Sequence, residues 1–272
     1  MSKDGHPKEK RHIVLWSGGK DSTATIILAH ELGIKIDLII MSLVWFDKKK
    51  AISAENTAHL QWVTEYAKPL FESWGYPVKF VSSEKDYLYY FFFKRQKSKH
   101  SEQIGKYYGF PIGGFCRIQR LKEEPVTQYL KKLRKQYDVI EYVGICADEK
   151  DRLERVHENK KQESLLEKHG ITQTAAKEKC KSRGLLSPTY SSGRKRGGCW
   201  FCPNQSIAEL AELKKNEPEK YEALEELSKV DNTIARGFKY GKTFEQVNAE
   251  VDAYIANPPP VQLTLFDMFD SI

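Results

Sequence analysis

The sequence predicts an α/β fold: a doubly wound, mostly parallel sheet followed by a small helical C-terminal region. Three observations carry the prediction. Short apolar runs alternate with amphipathic helical segments from residue 12 onward, the run at 138–145 has the apolar length of a strand in the middle of a parallel sheet, and helical periodicity alone follows residue 206. The 272 residues amount to one or two domains. With 40% hydrophobic and 12% aromatic residues, a wholly disordered, collagen-like or low-complexity chain is excluded.

In order along the chain, His12-Ile-Val-Leu-Trp16 reads as a short buried strand, and residues 21–32 after a glycine turn read as a helix ended by Gly33. Residues 35–45 form a second β-rich run, 56–74 have helical periodicity, and 78–82 are β-prone after Pro77. An amphipathic helix over 121–137 leads into the strand at 138–145, and right-handed crossovers connect such units. The charged stretch 148–169 reads as a solvated helix or loop, 174–183 as a short helix before Gly184, and 185–190 as the close of the core. Helices follow at 206–215, 218–230 and 244–256, after which Asn257-Pro-Pro-Pro260 breaks the last one and leads into a short apolar tail. The expected division is an α/β domain over 12–190, a cysteine-containing loop and helical region over 191–256, and a proline-led tail over 257–272.

Lys and Arg number 44 against 37 Asp and Glu, a formal charge of +7 that favours anionic ligands: nucleotide, nucleic acid or sulfated substrate. Residues 1–12 are charged rather than apolar, so no secretory signal is visible and a cytoplasmic location is expected. The longest apolar run, 38–46, is broken by Ser42 and falls far short of the ~20 residues of a membrane span, so no membrane partner is expected. In a reducing compartment, five cysteines point to metal ligands or reactive thiols rather than to a disulfide framework.

Ser17-Gly-Gly-Lys-Asp-Ser22 falls between the first strand and the first helix, where backbone N–H groups and the helix dipole converge on an anion. The two glycines let the backbone approach phosphate oxygens, Lys20 adds positive charge, and Ser17 and Ser22 offer hydroxyl donors. Neither the Walker A spacing nor G-x-G-x-x-G is present, which removes the main support for a kinase or a dehydrogenase. Here the sequence resembles the PP-loop ATP pyrophosphatases, or adenine nucleotide α-hydrolases, whose signature after the first strand is S-G-G-x-D-S. The resemblance implies a Rossmann-like fold of the PP-loop (HUP) type and a loop that holds the β and γ phosphates of ATP. It also implies attack of a substrate oxygen on the α phosphorus, with release of pyrophosphate and formation of an adenylylated substrate. Ser17, Gly18, Gly19, Lys20 and Ser22 would bind the pyrophosphate portion, and Asp21 would position Mg2+.

Further on stand Gly109-Phe-Pro111, then Cys116-Arg-Ile-Gln-Arg-Leu-Lys122 with Pro125, and then Gly144-Ile-Cys-Ala-Asp-Glu149 with Arg152. Over roughly residues 13–205 these resemble the phosphoadenosine phosphosulfate (PAPS) reductase-like branch. Arg117, Arg120 and Lys122 are suited to charge-assisted bonds with phosphate or sulfate, and Arg117 and Lys122 are the catalytic candidates beside Lys20 and Asp21. Asp148, Glu149 and Arg152 follow a strand's C-terminal end, the edge where open α/β sheets bind ligands, and are nucleotide-binding candidates. A solvated helix face with surface ion pairs is the plainer reading of these charges. Two departures favour ATP over PAPS: the phosphate loop is complete, and the C-terminal Glu-Cys-Gly-Leu-His type segment of sulfonucleotide reductases is absent. The resemblance then points to proteins that activate and sulfurate substrates, including the ATP-hydrolysing component of DNA phosphorothioation systems.

Cys199-Trp-Phe-Cys202 follows Gly197 and Gly198, which permit a tight turn aiming both sulfurs at one ion. Cys116 and Cys180 would complete four ligands for a [4Fe-4S] cluster or for Zn2+, which cysteine spacing alone does not distinguish. The resemblance to sulfur-handling enzymes favours the cluster. Cys146, at the end of an apolar strand, reads as a buried inert thiol. Arg194, Lys195 and Arg196 would draw an anion toward the cysteines or solubilise a loop.

Residues 87–93 hold three tyrosines and three phenylalanines, followed by Lys94, Arg95, Lys97, Lys99 and His100. This is either a way to hold single-stranded nucleic acid or an apolar element followed by a mobile basic loop. Gln262-Leu-Thr-Leu-Phe266 resembles the peptide with which bacterial replication proteins engage the sliding clamp, presented here on a proline-led linker. The leading expectation is an ATP-dependent, adenylylating, PAPS reductase-like enzyme in sulfur incorporation, with a nucleic-acid acceptor and a sulfur donor protein as candidate partners. Its rivals are a sulfonucleotide reductase and a non-catalytic nucleotide-fold module docked on a clamp.

Overall fold

The structure is a computed structural model that describes residues 8–112, 116, 118–190, 197–235 and 237–258. They form two compact units: one holds the described residues of Met1–Tyr90 and Arg117–Trp200, the other those of Phe91–Cys116 and Phe201–Ile272. The stretch 91–116, expected within the α/β domain, thus packs with the C-terminal helices.

In the first unit, β1 (Lys10–Trp16) enters α1 (Lys20–Glu31) through a three-residue turn, and Gly33 at φ +64° ends that helix. β2 (Leu38–Leu43) continues the sheet. The run expected over 35–45 divides there, because the chain leaves the sheet to pair β3 (Trp45–Asp47) antiparallel with β4 (Ile52–Ser53). The helix expected over 56–74 runs as α2 (Thr57–Gln61), a π-helical stretch Trp62–Ala67, and α3 (Lys68–Ser73). Pro69 has no N–H for the carbonyl four residues back, and the wider turn precedes it.

β5 (Val78–Ser82), α4 (Tyr87–Phe91), α5 (Gln119–Leu133) and β6 (Asp138–Val143) follow. The charged stretch then supplies α6 (Lys150–Glu158), a two-residue β7 (Gln162–Glu163) and α7 (Leu165–Lys168), before α8 (Gln173–Ser182). The sheet order is β5-β2-β1-β6-β7 and every pairing is parallel. This is the expected α/β architecture with a doubly wound sheet. The chain order reverses between β1 and β6, so the loops after these two strands flank the crevice where such sheets take ligands.

β1 alternates across the sheet. Val14 and Trp16 join the core built with α1, the π-helical stretch and α8, whereas Ile13 meets Ile40, Leu130 and Val139 beneath α5. Pro125 lies inside α5 and cannot donate to the Leu121 carbonyl; the Ser42 hydroxyl on β2 donates to that carbonyl instead, at 3.3 Å.

The second unit holds α9 (Ile207–Asn216), α10 (Pro218–Ser228) and α11 (Phe244–Ala256). Capping boxes at Ser206 with Glu209 and at Thr243 with Gln246 start two of these helices, as serine or threonine three residues before Glu or Gln dictates. Phe91, Phe110, Phe238 and Phe244 form a chain of edge-on rings with centroids 5.0–6.0 Å apart, the aromatic core of this unit. Among the described residues no helix is long and apolar enough to cross a membrane.

Candidate functional site

The turn between β1 and α1 is built by its own side chains. Ser22 Oγ accepts from Ser17 N at 3.1 Å and lies 3.1 Å from Ser17 Oγ, and the Gly19 carbonyl accepts from Ser22 Oγ at 3.2 Å. Gly18 sits at φ +73°, and an added Cβ would meet the His59 ring at 2.5 Å, so this position needs glycine twice over. Gly19 caps α1 without any side-chain bond, which leaves helix N–H groups for a ligand. One of them, Lys20 N, donates to the Tyr190 hydroxyl at 3.1 Å.

Across the crevice, Gly144 ends β6 against the first turn of α1: a Cβ there would lie 2.4 Å from Ser22 N and 2.6 Å from Ser22 Cα. A cleft of about 300 Å³ opens beside it, lined by Ser17, Gly19, Asp21 and Ser22 from the turn and by Gly144, Ile145 and Arg152 from the β6 side. Asp21 pairs with the Lys20 ammonium at 2.5 Å and accepts from Cys146 Sγ at 3.2 Å. Burial works against the Lys20 ammonium, but the bonded carboxylate outweighs it and holds the lysine above its ordinary value. Glu149 accepts from Cys146 N at 3.0 Å and pairs with Arg152 at 2.5 Å. Asp21, Cys146 and Glu149 offer ligand atoms all within 4.8 Å of one another, the one such group of three or more among the described residues.

The expected residues therefore separate. Ser17, Gly19, Asp21, Ser22 and Arg152 line one cleft, with Gly18, Lys20 and Glu149 directly behind them. Asp148 does not join them: it is exposed and accepts from Gln173 N at 3.0 Å, securing the start of α8. Lys122 pairs with the buried Glu55 at 3.2 Å, and Glu55 bridges the backbone of Cys199. Arg117, Arg194, Lys195, Arg196 and the clamp-like peptide Gln262–Phe266 lie outside the described residues.

Cys180, one of the expected ligands, lies apart from the surface. It is fully buried on α8, its thiol donates to the Lys20 carbonyl at 3.2 Å, and burial pushes its pKa up to about 12. In this arrangement Cys180 packs beneath the turn between β1 and α1. Of the other expected ligands, Cys199 and Cys202 are half-buried and Cys116 is exposed. Trp200 anchors its neighbour Cys199 by donating from Nε1 to the Ser53 carbonyl at 2.7 Å.

Four residues of the site were not among the expected site residues. Cys146 is buried, as read, yet its sulfur touches Asp21; burial first, and then the Asp21 carboxylate, push its pKa up and keep the thiol protonated. His59 packs on Gly18 and shares a 2.7 Å bond between Nδ1 and Ser187 Oγ. Burial lowers its pKa, Glu55 opposing and Lys122 assisting, so the imidazole is neutral. Tyr190 and Gly144 complete the set. Gly144 and Cys146 had a local signal in the quoted 144–149 motif, whereas His59 and Tyr190 had none.

No protein-family model matches the chain, and no curated protein matches it by sequence. Among solved structures, the U34-tRNA thiolase NcsA from Methanococcus maripaludis with its [4Fe-4S] cluster is similar with a TM-score of 0.39 and 14% identity, over 85% of this chain and 76% of that one. A likeness this loose assigns no role to any residue here, and what the site does has to follow from its own chemistry.

Proposed function

We propose that the protein is a PP-loop ATP pyrophosphatase: it binds ATP, cleaves between the α and β phosphates, adenylylates an acceptor, and so takes part in sulfur incorporation of the PAPS reductase-like kind. One observation carries the reading. The S-G-G-K-D-S turn stands at the switch point of a parallel sheet, with uncapped helix N–H groups facing a cleft large enough for a triphosphate.

Ser17, Gly18, Gly19 and Ser22 hold the β and γ phosphates, and Lys20 and Arg152 neutralise charge as pyrophosphate departs. Lys122, which pairs with Glu55, is the further candidate for charge stabilisation. Catalysis of this kind is positioning and charge stabilisation. The Asp21 and Glu149 carboxylates fit magnesium, a hard cation that takes oxygen ligands, whereas the protonated Cys146 thiol does not. Magnesium supplies charge neutralisation at the phosphates.

A cysteine-held [4Fe-4S] cluster or Zn2+ stays a reading of the sequence, resting on Cys116, Cys199 and Cys202. With Cys180, whose thiol donates to the Lys20 carbonyl when no metal is bound, these are the four expected cysteines, and no step is assigned to such a group.

Pyrophosphate release from ATP tests the proposal. Lys20→Ala and Asp21→Ala each lower it at least ~100-fold, the scale of losing one preorganised electrostatic contact. Wild-type turnover in both variants overturns it.

A further inference from the structure

The aromatic and basic stretch after α4 is partly paired. Residues 91–95 and 105–109 form a short antiparallel ribbon: Arg95 N donates to the Lys106 carbonyl and Gly105 N to the Arg95 carbonyl, both at 2.9 Å. Tyr108 N donates to the Phe93 carbonyl at 3.1 Å, and Lys94 pairs with Tyr107. The ribbon is tied to its own unit where Tyr107 N donates to the Asn232 carbonyl and Ile234 N to the Tyr107 carbonyl.

Side-chain alternation sorts the aromatics. Phe91 is buried, whereas Phe92 is exposed, edge-on to Tyr107 at 5.5 Å, and Lys94 Nζ lies 5.4 Å from the Tyr107 ring centre. Lys94, Arg95, Lys97, Lys99 and Lys106 stand here against the single carboxylate of Glu102. Among the described residues none of the five is within ion-pairing distance of a carboxylate.

We infer that this ribbon is a docking surface for single-stranded nucleic acid, with Phe92 and Tyr107 as the stacking platform and Lys94, Lys97 and Lys99 on the phosphates. An acidic protein surface would satisfy the lysines and leave the rings in water, whereas an unpaired base offers each ring a flat face and each lysine a phosphate. The inference does not rest on the ATP reading, because binding is measured without nucleotide.

The test is fluorescence anisotropy of the full chain with labelled oligo-dT, oligo-U and a matched duplex over a salt series. Both single strands bind more tightly than the duplex, and the better of the two names DNA or RNA as the source. In Lys97→Ala/Lys99→Ala the slope of log affinity against log salt falls by roughly 0.7 per lysine removed. Phe92→Ala weakens single-strand binding roughly 5- to 100-fold at unchanged slope, and Phe92→Tyr restores it. Failure of the wild-type chain to bind either single strand overturns the inference, as does a duplex affinity equal to that of the single strands. Wild-type affinity and slope in the lysine and Phe92→Ala variants overturns it as well.

Discussion

Gly144→Ala is the sharpest perturbation of the nucleotide reading, because the added atom is a single methyl whose neighbours are all backbone. Its Cβ would lie 2.4 Å from Ser22 N, 2.6 Å from Ser22 Cα and 2.7 Å from the Asp21 carbonyl carbon. Ordinary contact begins near ~3.5 Å, so something must retreat by about 1 Å. β6 is hydrogen-bonded to β1 on one side and to β7 on the other. The first turn of α1 therefore yields, and it carries Asp21 and Ser22. Displacing a catalytic group by ~1 Å costs on the order of 100-fold in rate, and overpacking costs about 1–3 kcal/mol of stability. Pyrophosphate release at saturating ATP and urea unfolding read the two effects. A Gly144→Ala enzyme with wild-type turnover would refute the close-approach reasoning.

Other perturbations reach separate parts of the molecule. His59 is neutral and buried with its pKa below the ordinary 6.5, so the unfolded chain binds the extra proton first as pH falls. Stability therefore rises with pH through the window below about 6.5, and His59→Gln flattens that part of a urea-melt pH series. Ser42→Ala leaves the Leu121 carbonyl of α5 unsatisfied and costs about 1 kcal/mol in the same melts. Anaerobic purification with iron, sulfide and zinc analysis tests the cysteines: Cys199→Ala loses whatever metal the wild type holds.

The strand, glycine turn and helix from Lys10 to Glu31 were legible because periodicity, the break at Gly33 and the S-G-G-x-D-S pattern are all local signals. The capped helices after Ser206 and Thr243 were legible for the same reason. Tertiary pairing hid the rest. Gln162 and Glu163 form an edge strand with no apolar signature, since only β6 beside them defines it. His59 reaches Gly18 because α2 packs across the phosphate turn, and no spacing in the chain announces that. Asp148 and Glu149 are neighbours of one chemical class, yet Asp148 secures a helix start while Glu149 turns toward Cys146. Cys180 was named by count, and its burial and its carbonyl partner are tertiary facts that no spacing announces. The basic residues after Phe93 were read as a loop because the strand that pairs with them, 105–109, carries no alternating apolar pattern of its own.

The bond from Lys20 N to the Tyr190 hydroxyl sets up a competition. The amide has one hydrogen, and a phosphate oxygen that takes it evicts the phenol, so occupancy of the turn and docking of Tyr190 oppose each other. By reciprocity, whatever fastens Tyr190 in place weakens triphosphate affinity by the same factor that triphosphate loosens Tyr190. On the proposed reading, the 3-10 turn Pro188–Tyr190 reports cargo at the N-terminal end of α1, and the hydroxyl is a built-in rival of the bound anion.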